Sequence, residues 1–222
     1  CEGGQREAQE QRETRIVALA PALCRTMLPA MTDIAASPQD ATGPLTGALP
    51  EIRLQASRHQ RVRGGHPWVF SNEIQMDAAA KALPPGGLVR LVADNGQRLG
   101  IATFNPHPLI SARMLTRDSD AVIDEAFLAS RLARAAALRD RLYAAPYYRL
   151  VHAEADGLPG LIIDRYGDTL VMQVTTAGME ALTPMILAAL DSVIGTVNVV
   201  LRNDTPTRSL EGLPLTVDIA RD

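Results

Sequence analysis

The stretch from Val89 to Leu115 constrains the fold more than any other part of the chain. Val89-Arg90-Leu91-Val92 reads as a strand, Asp94-Asn95-Gly96 as a tight turn, and Leu99 to Phe104 as the returning strand. Asn-Gly supplies the positive φ angles that a hairpin demands. Leu109 to Leu115 alternates apolar and polar residues and adds another strand. Several short strands within about 70 residues predict a small β-barrel or sandwich.

Beyond this β region the period changes. Asp124 starts a helix, with Leu128, Leu132, Ala135, Leu138 and Leu142 on one face at three- and four-residue spacing, and Pro146 ends the element. Arg131, Arg134, Arg139 and Arg141 read as a solvated helix face. Arg149 to Ala153 is extended. Leu161 to Arg165 pairs with Thr169 to Val174 across Tyr166-Gly167-Asp168, Met179 to Ile194 is an amphipathic helix, and Val197 to Leu201 an apolar strand. The fold class is therefore α+β, with strands first and then a strand-hairpin-helix-strand unit behind a linking helix. Leu210 to Asp222 contains apolar residues but no cap or closing element. Residues 1–50 open on Glu2, Arg6, Glu7, Glu10, Arg12, Glu13 and Arg15 and are later broken by Ser37-Pro38, Gly43-Pro44 and Gly47 to Pro50, which predicts a flexible leader. Met31 begins a more ordinary N-terminus within it, so part of the sequence upstream of it is expected to be read-through or a misplaced start.

Composition sets the class. With 222 residues and 46% of them hydrophobic, wholesale disorder is excluded. No uninterrupted apolar run approaches the roughly 20 residues of a membrane-spanning helix, since Ile16 to Met31 is broken by Pro21, Arg25 and Pro29; a soluble, cytoplasmic protein is expected. Both cysteines, Cys1 and Cys24, lie in the leader, so nothing from Arg25 onward can supply a thiolate. Lys81 is the only lysine among 22 basic residues. A net charge of −3 argues against a whole-surface polyanion binder while leaving room for a local patch.

The patch is at Arg58 to Ile74. Arg53, Arg58, Arg61 and Arg63 stand with one acid, Glu73, and two aromatics, Trp68 and Phe70. Arginine forks suit phosphates, and Gly64-Gly65 lets a backbone approach a ligand. Trp68 and Phe70 either stack on unpaired bases or anchor the core beneath the glycine turn. Elsewhere, His152, Glu154 and Asp156 fall on one strand face and, with Asp164, can be written as a hard-metal site or as the acid/base pair of a small hydrolase, but turn formation and hairpin charge explain them as well. No nucleophile elbow accompanies them. His107, between Pro106 and Pro108, lacks a second nearby ligand, and Asp204 to Arg208 reads as a solvated loop.

As a whole, Arg61-Val62-Arg63-Gly64-Gly65-His66-Pro67-Trp68-Val69-Phe70-Ser71-Asn72-Glu73-Ile74 resembles the N-terminal PUA-type domain of the bacterial S-adenosylmethionine-dependent ribosomal RNA large-subunit methyltransferases that make 5-methylcytosine. Asp94-Asn95-Gly96 with Leu99 to Ala102, Phe104-Asn105-Pro106 and Ile110 to Arg113 is similar to that family's second β segment. His152 to Asp168 is similar to the start of its central α+β domain, and Arg202-Asn203-Asp204 with Arg208 and Glu211-Gly212-Leu213 to the run preceding its catalytic domain. The resemblance implies a leader over 1–50, a PUA-like small β-barrel binding RNA over 51–120, a linking helix over 121–146, a central α+β domain over 147–215 and a truncated start of the catalytic region over 216–222. It implies large-subunit ribosomal RNA as partner, contacted by Arg58, Arg61, Arg63, His66, Trp68 and Arg113, with no membrane and no metal, and a homodimer for the full-length enzyme. The family continues into a Rossmann-like domain with a glycine-rich strand-to-helix turn for S-adenosylmethionine. No Gly-x-Gly turn between strand and helix occurs here, and no cysteine follows residue 24 to attack a cytosine ring. The chain is thus expected to carry no catalytic residue, to bind no S-adenosylmethionine and to be inactive alone. The alternative is a stand-alone PUA-type RNA-binding adaptor.

Overall fold

The computed structural model describes residues 49–195 and 197–221, all within a compact unit spanning Pro44–Asp222. Most of the leader, with Cys1, Cys24 and Met31, lies outside the described residues.

In chain order the elements are β1 (Glu51–Arg53), α1 (Gln60–Arg63), β2 (Trp68–Phe70), α2 (Ala78–Lys81), β3 (Gly87–Val92), β4 (Arg98–Phe104), β5 (Ile110–Thr116), α3 (Glu125–Leu142), β6 (Tyr147–His152), β7 (Leu161–Tyr166), β8 (Thr169–Val174), α4 (Ala177–Ile194), β9 (Asn198–Asn203), α5 (Thr207–Leu210) and β10 (Thr216–Arg221). They form two five-stranded sheets, ordered β1-β3-β4-β5-β2 and β10-β9-β8-β7-β6. The architecture is α+β, as the pattern of elements implies.

The first sheet curls. β3 and β4 form the expected hairpin, with Gly96 at φ +85° and the Asn95 side chain accepting from Gln97 N at 3.0 Å. Register shifts at Leu91/Val92 and Ile101/Ala102 increase its twist. Gly100 sits beside the second shift at φ +140°; a Cβ there would collide with the Thr116 carbonyl oxygen, so only glycine fits. The curl brings the outer strands together at an isolated bridge between Leu54 and Ile74. Leu54, Val69, Ile74, Leu91, Ala102 and Phe104 fill the enclosed core.

α3 begins where Asp124 predicts, its side chain accepting from Phe127 N at 2.8 Å. Its buried face is Leu128, Leu132, Ala135 and Ala136. Leu138 and Leu142, expected on that face, are 47% and 66% exposed, because the helix runs past the core in its last two turns.

In the second sheet β8 and β9 are parallel and joined by the α4 crossover; every other neighbour is antiparallel. α4 meets the length and composition of a membrane-crossing helix, against the expectation that no such stretch exists. Its Met179, Leu182, Ile186, Ala189 and Leu190 pack on Leu161, Ile163, Leu170, Met172 and Val174, which makes it a core helix. Two expectations are corrected here. Leu210 to Asp222 does not lack a closing element, since Thr216–Arg221 pairs with β9 as the outermost strand. And His152, Glu154 and Asp156 do not share a strand face, because β6 ends at His152 and Ala153–Asp156 is a 3₁₀ turn closed by Gly157 at φ +73°.

Candidate nucleic-acid interface

The arginine-rich segment folds into one helical turn and one short strand. Val62 is buried and pins α1, while Arg58, Arg61 and Arg63 are exposed. His59 places Nδ1 3.3 Å from Asp94 Oδ1, bringing the start of α1 to the β3–β4 turn. Gly64 caps α1 and Gly65, at φ +94°, turns the chain into β2. Along β2 the core anchor is Val69, fully buried; Trp68 and Phe70 point the other way and are half-buried.

Around these rings the polar groups interlock. Arg61 Nη1 lies 3.2 Å from Glu73 Oε1, its other nitrogen reaches the His66 ring, and its guanidinium sits 4.8 Å from the centre of the Phe70 ring. Glu73 Oε2 accepts from Phe70 N at 2.8 Å. The one acid of the cluster is therefore buried and fully engaged, while Arg61 keeps 41% of its side chain in water. Arg58 and Arg63 have no carboxylate partner among the described residues. Arg117, which the sequence does not single out, is exposed and donates to the Arg63 carbonyl, adding a fourth guanidinium beside α1. The His66 and Trp68 rings meet edge-on at 5.9 Å. The segment around α1 and β2 offers guanidinium forks, an imidazole and an indole face, with its own acid, Glu73, engaged, a composition suited to phosphates and unstacked bases.

Two of the residues expected here reach into the second sheet instead. The Trp68 indole N–H donates to Glu154 Oε1 at 2.7 Å. Arg113 of β5 pairs directly with Trp68 of β2, but its Nη1 is 2.8 Å from Glu211 Oε1 and only 14% of its side chain is exposed. Glu211 Oε2 in turn accepts from Asn105 Nδ2 at 2.8 Å and Ala177 N at 3.4 Å. Arg113 is thus placed at a joint between sheets. The sequence offers Glu154 as a metal or acid/base candidate and Glu211 as part of a family-like run, but not as the partners of Trp68 and Arg113, which are remote along the chain.

Several charges outside this face are also engaged. Arg131 and Arg139 do not belong to a solvated helix face. Arg131 donates to the carbonyls of Leu115 (2.6 Å) and Gly157 (3.0 Å), and burial, with Arg134 nearby, pushes its pKa down. Arg139 holds Asp156 through two 2.7 Å bonds, and Asp156 also accepts from His152 N. Glu154 and Asp156 are therefore structural, which removes the hydrolase reading. No group of three or more His, Cys, Asp or Glu able to hold a metal occurs among the described residues. Asp204 to Arg208 is not simply a solvated loop, because Arg208 is 1% exposed and donates to Glu180 Oε2 (2.9 Å) and Pro214 O (2.8 Å).

The strand-to-helix passage between β8 and α4 is filled by protein groups and does not fit S-adenosylmethionine. Between β8 and α4 the turn Thr175-Thr176 leads into Ala177-Gly178, where Glu211 takes the Ala177 N–H. A Cβ on Gly178 would collide with the Thr103 side chain. This helix N-terminus is closed by protein, not open to an anion.

Residues 52–117 match the family model described as a PUA-like domain. The ribosomal RNA large subunit methyltransferase I of Aliivibrio fischeri strain MJ11 is 39% identical over 166 residues, covering 73% of this chain and 41% of that protein. Its counterpart from Shewanella frigidimarina is 38% identical over 165 residues, again with 73% and 41% covered. A solved structure described as a SAM-dependent methyltransferase from Streptococcus mutans superposes with a TM-score of 0.61 over 70% of this chain and 41% of that one; at 14% identity this is a likeness of fold. The chain spans 41% of the length of these two curated relatives.

Proposed function

We propose that this chain is the RNA-binding front portion of an S-adenosylmethionine-dependent methyltransferase of large-subunit ribosomal RNA, with carbon 5 of cytosine as the methyl acceptor in the complete enzyme. The observation that carries the reading is the 39% identity to a ribosomal RNA large subunit methyltransferase I along 166 residues. Such an enzyme works in the bacterial cytoplasm, and residues outside this chain supply the cofactor site and the attacking nucleophile. Alone, the chain binds RNA and transfers no methyl group.

Arg58, Arg61 and Arg63, with Arg117 beside them, contact phosphates in this reading, while His66 and Trp68 meet bases or sugars. Trp68 arrives pre-oriented, since Glu154 fixes its indole nitrogen. Arg113 acts from beside Trp68 on the same face of the sheet, holding Glu211. Catalysis in the complete enzyme needs an unpaired or flipped base, and a rigid basic face on the first sheet holds the neighbouring backbone.

Filter binding of a ribosomal RNA segment across a salt series tests this. The double variant Arg61→Ala, Arg63→Ala binds more weakly, and its log-affinity against log-salt slope falls by about 0.7 to 0.9 for each phosphate left without its guanidinium. An unchanged affinity and slope removes those arginines from the interface.

A further inference from the structure

All four tyrosines of a chain that is only 4% aromatic lie within one corner of the second sheet: Tyr143, Tyr147, Tyr148 and Tyr166. Tyr147 and Tyr166 face each other across the β6–β7 pair and are 68% and 56% exposed. Directly paired residues point to the same side of a sheet. Their side is the one away from α3, because Tyr148, the next residue, turns inward and donates to Asp140 of α3 at 3.1 Å. One step along, Arg149 is paired with Asp164 on that same outward face, through bonds of 2.8 and 3.1 Å. The outward row continues along β6 to exposed His152, two residues before the Glu154 that grips Trp68.

We propose that Tyr147 and Tyr166 form a base-stacking site for single-stranded RNA, with the outward row of β6 connecting it to the interface at Trp68. The inference rests on the reading of this chain as an RNA-binding protein. Three observations select this occupant. The rings stand on adjacent strands, about 5 Å apart at their roots, which offers platforms to two successive bases. The support beneath them is fixed: Tyr143 stacks on Tyr148 at 5.3 Å, Arg165 donates to the Gly167 carbonyl at 3.1 Å, and the Tyr147 ring leans over Gly167, whose added Cβ would lie 3.6 Å from its hydroxyl oxygen. Rigid tyrosines lose little entropy when a ligand covers them. Finally, Asp164 engages Arg149, and Asp168 follows Tyr166 in the turn, so the corner is close to neutral. Binding there is led by rings, unlike the guanidinium-led face beside α1.

That contrast gives the test. A fluorescently labelled, unstructured RNA of about 16 nucleotides is titrated into the full chain at several salt concentrations. Tyr147→Ala and Tyr166→Ala each weaken binding about 5- to 100-fold, leave the salt slope unchanged, and are rescued by phenylalanine at the same positions. Photocrosslinking with 5-iodouracil in the same RNA independently labels peptides carrying Tyr147 or Tyr166. Unchanged affinity of the alanine variants, or crosslinks confined to the α1 and β2 peptides, overturns the inference. If Arg61→Ala, Arg63→Ala still weakens binding in that case, the proposed function stands and the open face belongs to another partner. If neither set of variants matters, both readings fail together.

Discussion

The two sheets have the same number of strands but solve the problem of their edges differently. In the first, register shifts and Gly100 bend the strands until β1 and β2 meet at Leu54 and Ile74, so one side faces inward while Ile101, Leu115 and Arg113 of the other side meet the second sheet's unit and the arginines beside α1 stay in water. The second has helices on one side alone. It keeps an uncovered face and two outer strands, β6 and β10, the latter exposing Val217 (61%) and Ile219 (70%). A curled sheet satisfies its own edges and so can carry charge outward at little cost. An open sheet needs a ligand, a further strand or another surface to cover what it leaves bare.

Three substitutions separate the sheets or test how firmly they are joined. Glu211→Ala strands the Arg113 guanidinium between the sheets, frees the Ala177 N–H and leaves the Asn105 amide only its bond to the residue 211 carbonyl. The expected loss is about 3 to 5 kcal/mol, read as a drop in the urea midpoint, with faster amide exchange at the joint. A loss below about 1 kcal/mol would mean that the two sheets hold together without this carboxylate. Gly100→Ala attacks the first sheet alone by forcing a Cβ into the Thr116 carbonyl at positive φ. It costs about 3 kcal/mol, with exchange rising first in β4 and β5. Asp124→Ala removes the cap of α3 and costs about 1 kcal/mol, which should appear as a small fall in Tm with the basic face beside α1 still binding RNA. Loss of RNA binding in this last variant would show that α3 is part of the interface.

Much of this organisation is legible in the sequence wherever the deciding interaction is local. Asp94-Asn95-Gly96 specifies its hairpin through backbone angles, and Asp124 specifies the start of α3 through a hydrogen bond three residues on. The α1 arginines are legible for the same reason, because one turn of helix displays neighbours together. What the sequence conceals is pairing at a distance. Trp68 and Glu154 are 86 residues apart, Asn105 and Glu211 are 106, and nothing local marks either acid as a partner. Arg131, Arg139 and Arg208 look like surface charge for the same reason, until the fold delivers carbonyls and carboxylates to them. Leu138 and Leu142 fail in the opposite sense: periodicity continues along the helix after the core has ended.

The close approach of Gly178 to Thr103 bears on how the molecule moves. A helix start pressed against a strand of the other sheet, with Glu211 locking both, leaves no hinge at the joint. Residues 51–221 should therefore tumble with one rotational correlation time and melt in one calorimetric transition.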